Sequence, residues 1–297
     1  MDIRNVQTFI RVAELGSFTK AANELSYVQS TVTMQIQQLE RELGFPLFDR
    51  IGKRVSLTDM GQDFLGYAYE ITRVMQEVSN LGKDEKDMSG TLRVGVLESL
   101  LFSNMLKILP GFKDTYKNLN LQLKMGQASE LLQQLKQNRL DMVYLSAGLN
   151  NDPDLLCYYK RREQLIFVSG PAHRVAQQRN ISVKELLAYD FIVTEHSGIC
   201  YGRLQELAQQ YNTALHASVE LDSTVAIANL LQENMALAFL PEYSVRKQLE
   251  ERRLIQVDVA IEPQIYYSQI LCHKNRWVSP FMTRLIAEIK KNYPGIE

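Results

Sequence analysis

The sequence predicts an α+β protein in which a mainly helical N-terminal segment precedes a longer α/β region. Apolar residues recur at the spacing of amphipathic helices from Val6 to Leu81. From Thr91 onward, short β-prone segments alternate with helical ones, which predicts a mainly parallel sheet flanked by helices. At 297 residues the chain is too long for one small domain. We therefore predict three parts, over residues 1–58, 59–89 and 90–297.

The composition is that of an ordinary globular protein. Hydrophobic residues make up 45% and charged residues 23%, and the net charge of −1 indicates neither nucleic acid nor a disordered acidic tail. Cys157, Cys200 and Cys272 lie far apart and form no C-x-x-C pair, which fits a reducing compartment and excludes a Cys-based zinc site. The N-terminus does not have the pattern of a signal peptide, and no apolar run reaches the length of a membrane span. We therefore expect a cytoplasmic protein without a membrane partner.

Three short helices are predicted at the N-terminus. The first carries an apolar stripe that ends at Gly16, and Ser17 is placed to cap the second. A break at Ser26-Tyr27 precedes the third, which stops near Gly44. Two short helices joined by a tight turn, the second of them polar on its outer face, form a helix-turn-helix pattern.

The third helix, which contains "QSTVTMQIQQLE", has an unusual outer face. Its apolar stripe consists of Val32, Ile36, Leu39 and Leu43. The opposite side carries uncharged side chains, namely Ser30, Thr33, Met34 and Gln37. Solvent-facing helix surfaces usually carry Lys and Glu, whereas contacts to base edges and thymine methyls in the major groove favour hydroxyls, amides and apolar groups. The pattern favours DNA recognition, although uncharged polar helices also occur at protein interfaces.

A small basic β-hairpin is predicted next, within "LFDRIGKRVSLTDMG". Gly52 lies between Arg50 and the pair Lys53-Arg54, and a β-prone stretch follows. The cations of this hairpin form the one basic cluster of the N-terminal segment. They are the expected source of contacts to DNA phosphates.

A long helix is predicted to begin after Thr58, which is placed to cap it. Two sets of apolar residues repeat every seven positions along this helix: Phe64, Ile71 and Val78 in the first set, and Tyr67, Val74 and Leu81 in the second. Two seams at heptad spacing over about three heptads predict a helix that pairs with another helix. The charged segment "LGKDEKDMSG" then indicates a hinge that ends at Gly90.

The stretch "GSFTKAANELSYVQSTVTMQIQQLERELGFPLFDRIGKRVSLTDMG" resembles the winged helix-turn-helix of the LysR-type transcriptional regulators. The resemblance runs through "SFTKAA", "Q-S-x-V-T-x-Q-I-x-x-L-E", "LG-x-PLF-x-R" and "V-x-LT-x-x-G", and it continues more loosely to the C-terminus. It implies a long linker helix for dimerisation and a C-terminal two-lobed α/β effector domain like a periplasmic binding protein. It also implies binding to inverted-repeat promoter DNA as a homodimer or homotetramer, with RNA polymerase as a further candidate partner.

The resemblance places DNA contacts at the start of the third helix and on the wing. Carried over by position, they fall on Gln29, Ser30, Thr31, Thr33, Met34, Gln37, Arg50, Lys53 and Arg54. Two departures matter. Val28 stands where the family usually has a Ser or Thr cap, with Ser26 as a partial substitute. Met34 stands where an Arg or another polar residue is common, which implies less demand for G·C and more contact with thymine methyls.

A small-molecule effector is implied in a cleft of the C-terminal domain. The candidate residues follow strands or begin helices: Ser99, Ser129, Thr194, His196 and Ser197. Hydroxyls and helix N-termini suit an anion or a carboxylate, although each serine is equally well explained as a plain N-cap. His196 has no Cys, Asp or second His at metal-ligand spacing, so neither a metal nor another cofactor is expected.

Two alternatives stay open. Cys200 precedes the helix "YGRLQELAQQ", where a helix N-terminus lowers a thiol pKa, so the same fold switched by thiol oxidation is one of them. A small packing residue is the better interpretation of Cys200. The other alternative is a ligand-binding or enzymatic α/β protein with an accessory helical domain. Because the sequence has no Gly-rich phosphate loop, nucleophile elbow or clustered acid–base set, we do not expect an enzyme.

Overall fold

The computed structural model describes the chain except residues 52–53, 85, 195–197, 275, 277 and 296–297, and it describes only the backbone of residues 50, 51 and 54. The chain divides into two compact units. The first comprises Met1–Arg93, Thr115–Gln122 and Gln133–Asp141, and the second comprises Val94–Asp114, Leu123–Leu132 and Met142–Glu297. Each unit is described by itself below.

The N-terminal elements follow the predicted order. They are α1 (Ile3–Leu15), α2 (Phe18–Glu24), α3 (Gln29–Leu43), β1 (Phe48–Ile51), β2 (Arg54–Leu57) and α4 (Asp59–Asn80). The three predicted short helices, the hairpin and the long helix are therefore confirmed.

Alternating strands and helices make up the rest of the chain, with two short 3-10 turns at Met105–Lys107 and Arg174–Gln177. The strands are β3 (Gly90–Val96), β4 (Leu119–Met125), β5 (Met142–Ala147), β6 (Leu155–Ser169), β7 (Phe191–Val193), β8 (Ala217–Glu220), β9 (Leu237–Pro241), β10 (Ile255–Gln256) and β11 (Gln264–His273). The helices are α5 (Glu98–Ser103), α6 (Leu109–Thr115), α7 (Ala128–Lys136), α8 (Val183–Leu186), α9 (Ile199–Gln210), α10 (Thr224–Leu231), α11 (Glu242–Glu250) and α12 (Pro280–Asn292).

The helix ends in the first unit are set by the residues that the sequence indicated. The Ser17 side chain accepts a hydrogen bond from the Lys20 backbone N–H, and the Thr58 side chain accepts one from Gly61. Gly16 ends α1 in the left-handed conformation, at φ 57°. The start of α3, at Val28, has no side-chain cap hydrogen bond. The predicted loss of a hydroxyl cap is therefore confirmed, and Ser26 does not replace it.

A cluster of aromatic rings holds the first unit together. The ring of Phe9 on α1 lies 5.4 Å from that of Phe48 and 5.2 Å from that of Phe64. Burying one such side chain contributes about 1.5–3 kcal/mol. The start of α4 approaches the Leu47 carbonyl so closely that a Cβ at Gly61 would lie 2.1 Å from it. The final glycine of "LTDMG" is therefore required by this approach of two backbones.

The long helix α4 has a buried first half and an apolar exposed second half. Phe64 and Leu65 pack in the core of the first unit. In contrast, Val74, Val78 and Leu81 are 45%, 57% and 77% exposed. The first part of the heptad pattern thus packs in the core of the first unit, while the remainder forms an exposed apolar stripe. Among the described residues, no helix has both the length and the apolar character needed to cross a membrane.

The strands of the C-terminal region form one mixed sheet in the order β4-β3-β5-β11-β6-β9-β7-β8, with β10 paired to β6. The β3–β5, β7–β8 and β7–β9 pairs are parallel. The central strand β11 runs antiparallel to both β5 and β6, and β6 runs antiparallel to β9. The prediction of a mainly parallel sheet is therefore wrong at the centre of the sheet, where the long strands β11 and β6 are antiparallel to each other.

The segment after β3 is not one continuous helix. The segment forms α5, the 3-10 turn Met105–Lys107 and then α6. Pro110 lies near the start of α6, where its missing N–H prevents one continuous helix from passing through it. The first helix, α5, is six residues long and follows closely after the end of β3.

Candidate nucleic-acid interface and ligand cavity

One face of α3 is exposed, and it carries the predicted base-contacting side chains. Val32, Ile36 and Leu39 are fully buried, whereas Met34 on the opposite side is 60% exposed. Exposed or partly exposed side chains in the predicted set are Gln29, Ser30, Thr31, Thr33, Met34 and Gln37. This exposed face has no charged side chain between positions 29 and 37.

Gln29 is held by the preceding helix. The Thr19 hydroxyl on α2 donates a hydrogen bond of 3.0 Å to Gln29 Oε1. A second tie between helices runs from the Thr8 hydroxyl on α1 to Gln35 Oε1, at 2.8 Å. Thr33 donates to the Gln29 backbone carbonyl within α3. Sequence reasoning missed Thr19, because nothing local to position 19 indicates that its hydroxyl reaches position 29.

The basic hairpin forms as predicted, with an antiparallel register that pairs Phe48 with Leu57 and Ile51 with Arg54. The backbone of Arg50 lies on β1 and pairs with Val55 on β2. Lys53 lies outside the described residues, and the side chains of Arg50 and Arg54 are not described. Their contacts to phosphates therefore stay predictions.

A cavity of about 650 Å³ lies within the second unit, where several strands end and helices begin. Its lining comes from the ends of β3, β5 and β7 and from the starts of α5, α7, α9 and α11. Its polar and ionisable lining residues include Glu98, Ser99, Glu130, Ser146, Thr194, Cys200, Asp222, Thr224 and Tyr243.

The predicted effector residues are distributed unevenly around this cavity. Ser99 and Thr194 line it. Ser129 is exposed in the first turn of α7, which begins at Ala128, so it does not precede the helix and does not line the cavity. His196 and Ser197 lie outside the described residues.

Three buried hydroxyls meet at one wall of the cavity. The phenol oxygen of Tyr243 lies 3.0 Å from Ser99 Oγ and 3.0 Å from Ser146 Oγ. Burial raises the pKa of Tyr243, so the phenol keeps its proton near neutral pH. The interpretation of Ser99 as a plain N-cap is wrong, because α5 is preceded by Leu97 without a side-chain cap. Sequence reasoning missed Ser146 and Tyr243, which are far from Ser99 along the chain.

The carboxylate of Glu98 crosses from α5 to the start of α10. Glu98 Oε1 accepts a hydrogen bond of 2.8 Å from Ser223 Oγ, and Oε2 accepts one of 2.8 Å from the Thr224 backbone N–H. Ser223 also caps α10 by accepting from the Ala226 N–H. An acidic side chain at a helix N-terminus is electrostatically favoured. The N-terminus of α10 is therefore occupied by a carboxylate of the protein itself.

The cysteines do not form a disulfide in this structure. The Cys200 and Cys272 thiols are buried, and the Cys157 thiol is exposed. Cys200 is the second residue of α9 and lines the cavity. Among the described residues, no group of three or more His, Cys, Asp or Glu side chains is arranged to hold a metal ion.

The comparisons with known proteins agree with the sequence resemblance. A model of the LysR substrate binding domain matches residues 85–294, and a model of the bacterial regulatory helix-turn-helix protein, lysR family, matches residues 3–62. The HTH-type transcriptional regulator YfiE of Escherichia coli (strain K12) is 30% identical over 294 residues, covering 99% of each chain.

Solved structures share the fold. Full-length CbnR in complex with its target DNA has a TM-score of 0.65 at 18% identity, covering 98% of this chain and 100% of CbnR. The regulatory domain of Synechocystis PCC6803 CcmR in complex with 2-PG has a TM-score of 0.61 at 18% identity, covering 69% of this chain and 99% of that domain. Because the two family models together span almost the whole chain, the family predicted from the sequence is confirmed. The chain belongs to the LysR family of DNA-binding transcriptional regulators, with an N-terminal helix-turn-helix domain and a C-terminal effector-binding domain.

Proposed function

We propose that this regulator recognises an inverted-repeat promoter site as a dimer, with the exposed face of α3 in the major groove. The observation that carries the proposal is the uncharged, exposed face of α3 on a helix whose other face is fully buried. Amides, hydroxyls and a thioether suit base edges and thymine methyls. The CbnR complex with DNA, which has the same fold, supports this use of the domain.

Gln29 is the residue we assign to adenine. A glutamine amide contacts adenine through one donated and one accepted hydrogen bond. Gln29 Oε1 already accepts from Thr19, and an amide oxygen has a second lone pair for the adenine amino group. Thr19 therefore restricts the side chain before DNA binds, which reduces the entropy lost on recognition.

Met34 is the residue we assign to a thymine methyl. Its side chain is apolar, unbranched and 60% exposed, so it contributes contact area but no hydrogen bond to guanine. Replacing Met34 with Arg should shift preference towards G·C at one position of each half-site. An unchanged preference would remove Met34 from the interface.

Arg50, Lys53 and Arg54 are the residues we assign to phosphates, on the wing and at its tip. Each phosphate contact is expected to contribute about 0.9 to the slope of log K against log salt concentration. These contacts supply affinity without sequence preference. Removing one of the three cations should thus weaken binding to specific and to random DNA equally.

The exposed apolar stripe on α4 is the surface we assign to dimerisation. Tyr67, Val74, Val78 and Leu81 are all well exposed, at positions that repeat with helical heptad spacing. Two helices that pair along this stripe would place two copies of α3 on one DNA duplex. A two-fold dimer accounts for an inverted repeat, since its two recognition helices bind half-sites related by the same symmetry. Association of two such dimers into a tetramer is the larger assembly that we propose.

A small polar effector in the cavity is the proposed control. The cavity volume lies in the range of small-molecule sites, and Thr194 and Ser99 offer hydroxyls to a carboxylate or another polar group. The complex of the CcmR regulatory domain with 2-PG, which has the same fold, supports a ligand in this domain. The effector would act by binding one arrangement of the assembly more tightly than another.

The experiment is a DNA-binding titration across a salt series with DNA from the upstream region of its own gene. A Gln29→Ala/Thr33→Ala variant should lose sequence preference but keep the salt slope, because the phosphate contacts stay intact. Gln7→Ala is a matched control, since Gln7 is exposed on α1 outside the proposed interface. Equal loss on specific and random DNA in the double variant would contradict base recognition by α3.

A further inference from the structure

Acidic side chains line the cavity. Among the described lining residues, Glu98 lies on α5, Glu130 on α7 and Asp222 just before α10, and none is Lys, Arg or His. The Lys124 ammonium lies 3.1 Å from Glu130, but both side chains are about half exposed, so solvent screens this pair. Glu98 is partly buried and Asp222 is exposed, so Glu98 is the carboxylate of the lining that solvent screens least, and Asp222 adds negative charge beside it at the start of α10.

The position that would most readily accept an anion is already filled. The Glu98 carboxylate accepts hydrogen bonds from both Ser223 Oγ and the Thr224 N–H at the start of α10. A ligand carboxylate at this position would have to displace Glu98 and lie beside Asp222. An anionic group on the ligand is thus disfavoured at this end of the cavity.

A second and independent feature, a buried hydroxyl at Thr194, points to a polar ligand in the cavity. The Thr194 side chain is only 8% exposed, and its hydroxyl has no hydrogen-bond partner among the described residues. Buried hydroxyls in native proteins are nearly always satisfied, because leaving one unpaired is costly. A hydroxyl that lines a cavity and has no partner in the described part of the chain is therefore a position where a ligand atom can supply the missing bond.

We propose that the effector of this regulator carries a protonated amine, held by the carboxylates of Glu98 and Asp222, together with a polar group that bonds the Thr194 hydroxyl. The proposal rests on the effector role assigned to this cavity. An ammonium group donates three hydrogen bonds and has no lone pair with which to accept one. It therefore complements carboxylates, which only accept. Small amino acids and short diamines are the chemical class that meets both requirements.

Glu98 need not leave α10 when the ligand binds. A carboxylate has about four acceptor sites on its two oxygens, and the contacts to Ser223 and Thr224 use two of them. The remaining sites are available to an ammonium group. A bound amine would then add to the link between α5 and α10 instead of breaking it, which is how it would favour one arrangement of the domain.

Thermal shift of the full chain with matched ligand pairs tests the proposal. The panel consists of the protein amino acids and the diamines of about three to five carbons, each beside the corresponding acid or diol without the amino group. Amine-bearing members should raise Tm, while their partners without an amine should not. Glu98→Gln and Asp222→Asn should each weaken binding of that amine at least about tenfold, since a charge-assisted bond is lost. Glu98→Gln keeps one acceptor oxygen for the Thr224 N–H and places its amide N–H near Ser223 Oγ, so the link to the start of α10 is retained without the charge.

Glu233→Gln is the matched control, because Glu233 is exposed in the turn at the other end of α10. A Tm rise with the acids but not the amines would overturn the proposal. An unchanged Tm with every amine in the panel would overturn it as well. The same proteins are also titrated with promoter DNA. DNA binding without amine binding would refute the ligand class alone, whereas amine binding that leaves DNA affinity and promoter output unchanged would refute the proposed effector control.

Discussion

The tyrosine at the wall of the cavity offers the most direct test of how the effector-binding domain is held together. Tyr243→Phe removes one oxygen and leaves the ring. The phenol oxygen lies 3.0 Å from both Ser99 Oγ and Ser146 Oγ, and all three side chains are at most 8% exposed. The substitution therefore breaks two buried hydrogen bonds and leaves two serine hydroxyls to find other partners.

The expected loss follows from these two bonds. A typical hydrogen bond contributes about 1 kcal/mol net, and a buried group left unpaired costs about 1–3 kcal/mol. Two bonds of this kind give about 2–3 kcal/mol. For a domain of about 200 residues, each kcal/mol lowers Tm by about 2–4 °C, so Tm should fall by about 4–12 °C.

Thermal and urea unfolding of the full chain measure this loss, with Tyr144→Phe as the control. The Tyr144 phenol oxygen accepts one hydrogen bond, from Asn104 Nδ2 at 2.9 Å, so its loss should be about half as large. Because burial raises the pKa of Tyr243, the phenol stays protonated and the loss should not change between about pH 6 and 9. A Tyr243→Phe protein as stable as wild type, or more stable than the control variant, would refute the reasoning.

Three further substitutions test other parts of the molecule. Burial raises the pKa of Glu163 above its unfolded value, so the folded protein loses stability as pH rises from about 4.5 through the folded pKa. Over that range, the unfolding free energy of Glu163→Gln, measured in urea, should rise relative to that of wild type. A difference that stays constant with pH would contradict this. Gly66→Ala should cost about 1–3 kcal/mol of unfolding free energy, because its Cβ would lie 2.9 Å from the Gln137 carbonyl oxygen, and an unchanged Tm would disprove that contact. Thr19→Val removes the hydrogen bond to Gln29 and should weaken specific DNA binding up to about tenfold at an unchanged salt slope. Equal weakening on random DNA would contradict the role of Thr19 in positioning Gln29.

The parts that the sequence predicted correctly depend on local chemistry. Ser17 and Thr58 cap the helices that follow them, and Gly16 ends α1, because each needs only neighbours within about four residues. The inner stripe of α3 is buried as predicted, because periodicity alone defines a helix face. Residues of this kind are predictable from one sequence.

The parts that were missed depend on contacts between distant segments. The charged first half of β6, which starts at Leu155, is a strand because it pairs with β11 more than 100 residues away. The contact of Ser99 with Tyr243 joins positions 144 apart, and that of Glu98 with Thr224 joins positions 126 apart. No spacing rule connects such positions, so the chemistry of the cavity could not be predicted although its general location could.

The short helix α5 lies at the wall of the cavity and directly after β3. It carries both side chains that reach across the domain, Glu98 to α10 and Ser99 to α11. It follows directly after β3, whose first residue is Gly90, and the preceding Ser89 is tied to the end of α4. The side chain of Asn80 donates to the Ser89 carbonyl at 2.7 Å and accepts from the Ser89 N–H at 3.1 Å. The end of α4 and the short helix that carries Glu98 and Ser99 are therefore joined along the chain by one strand, β3.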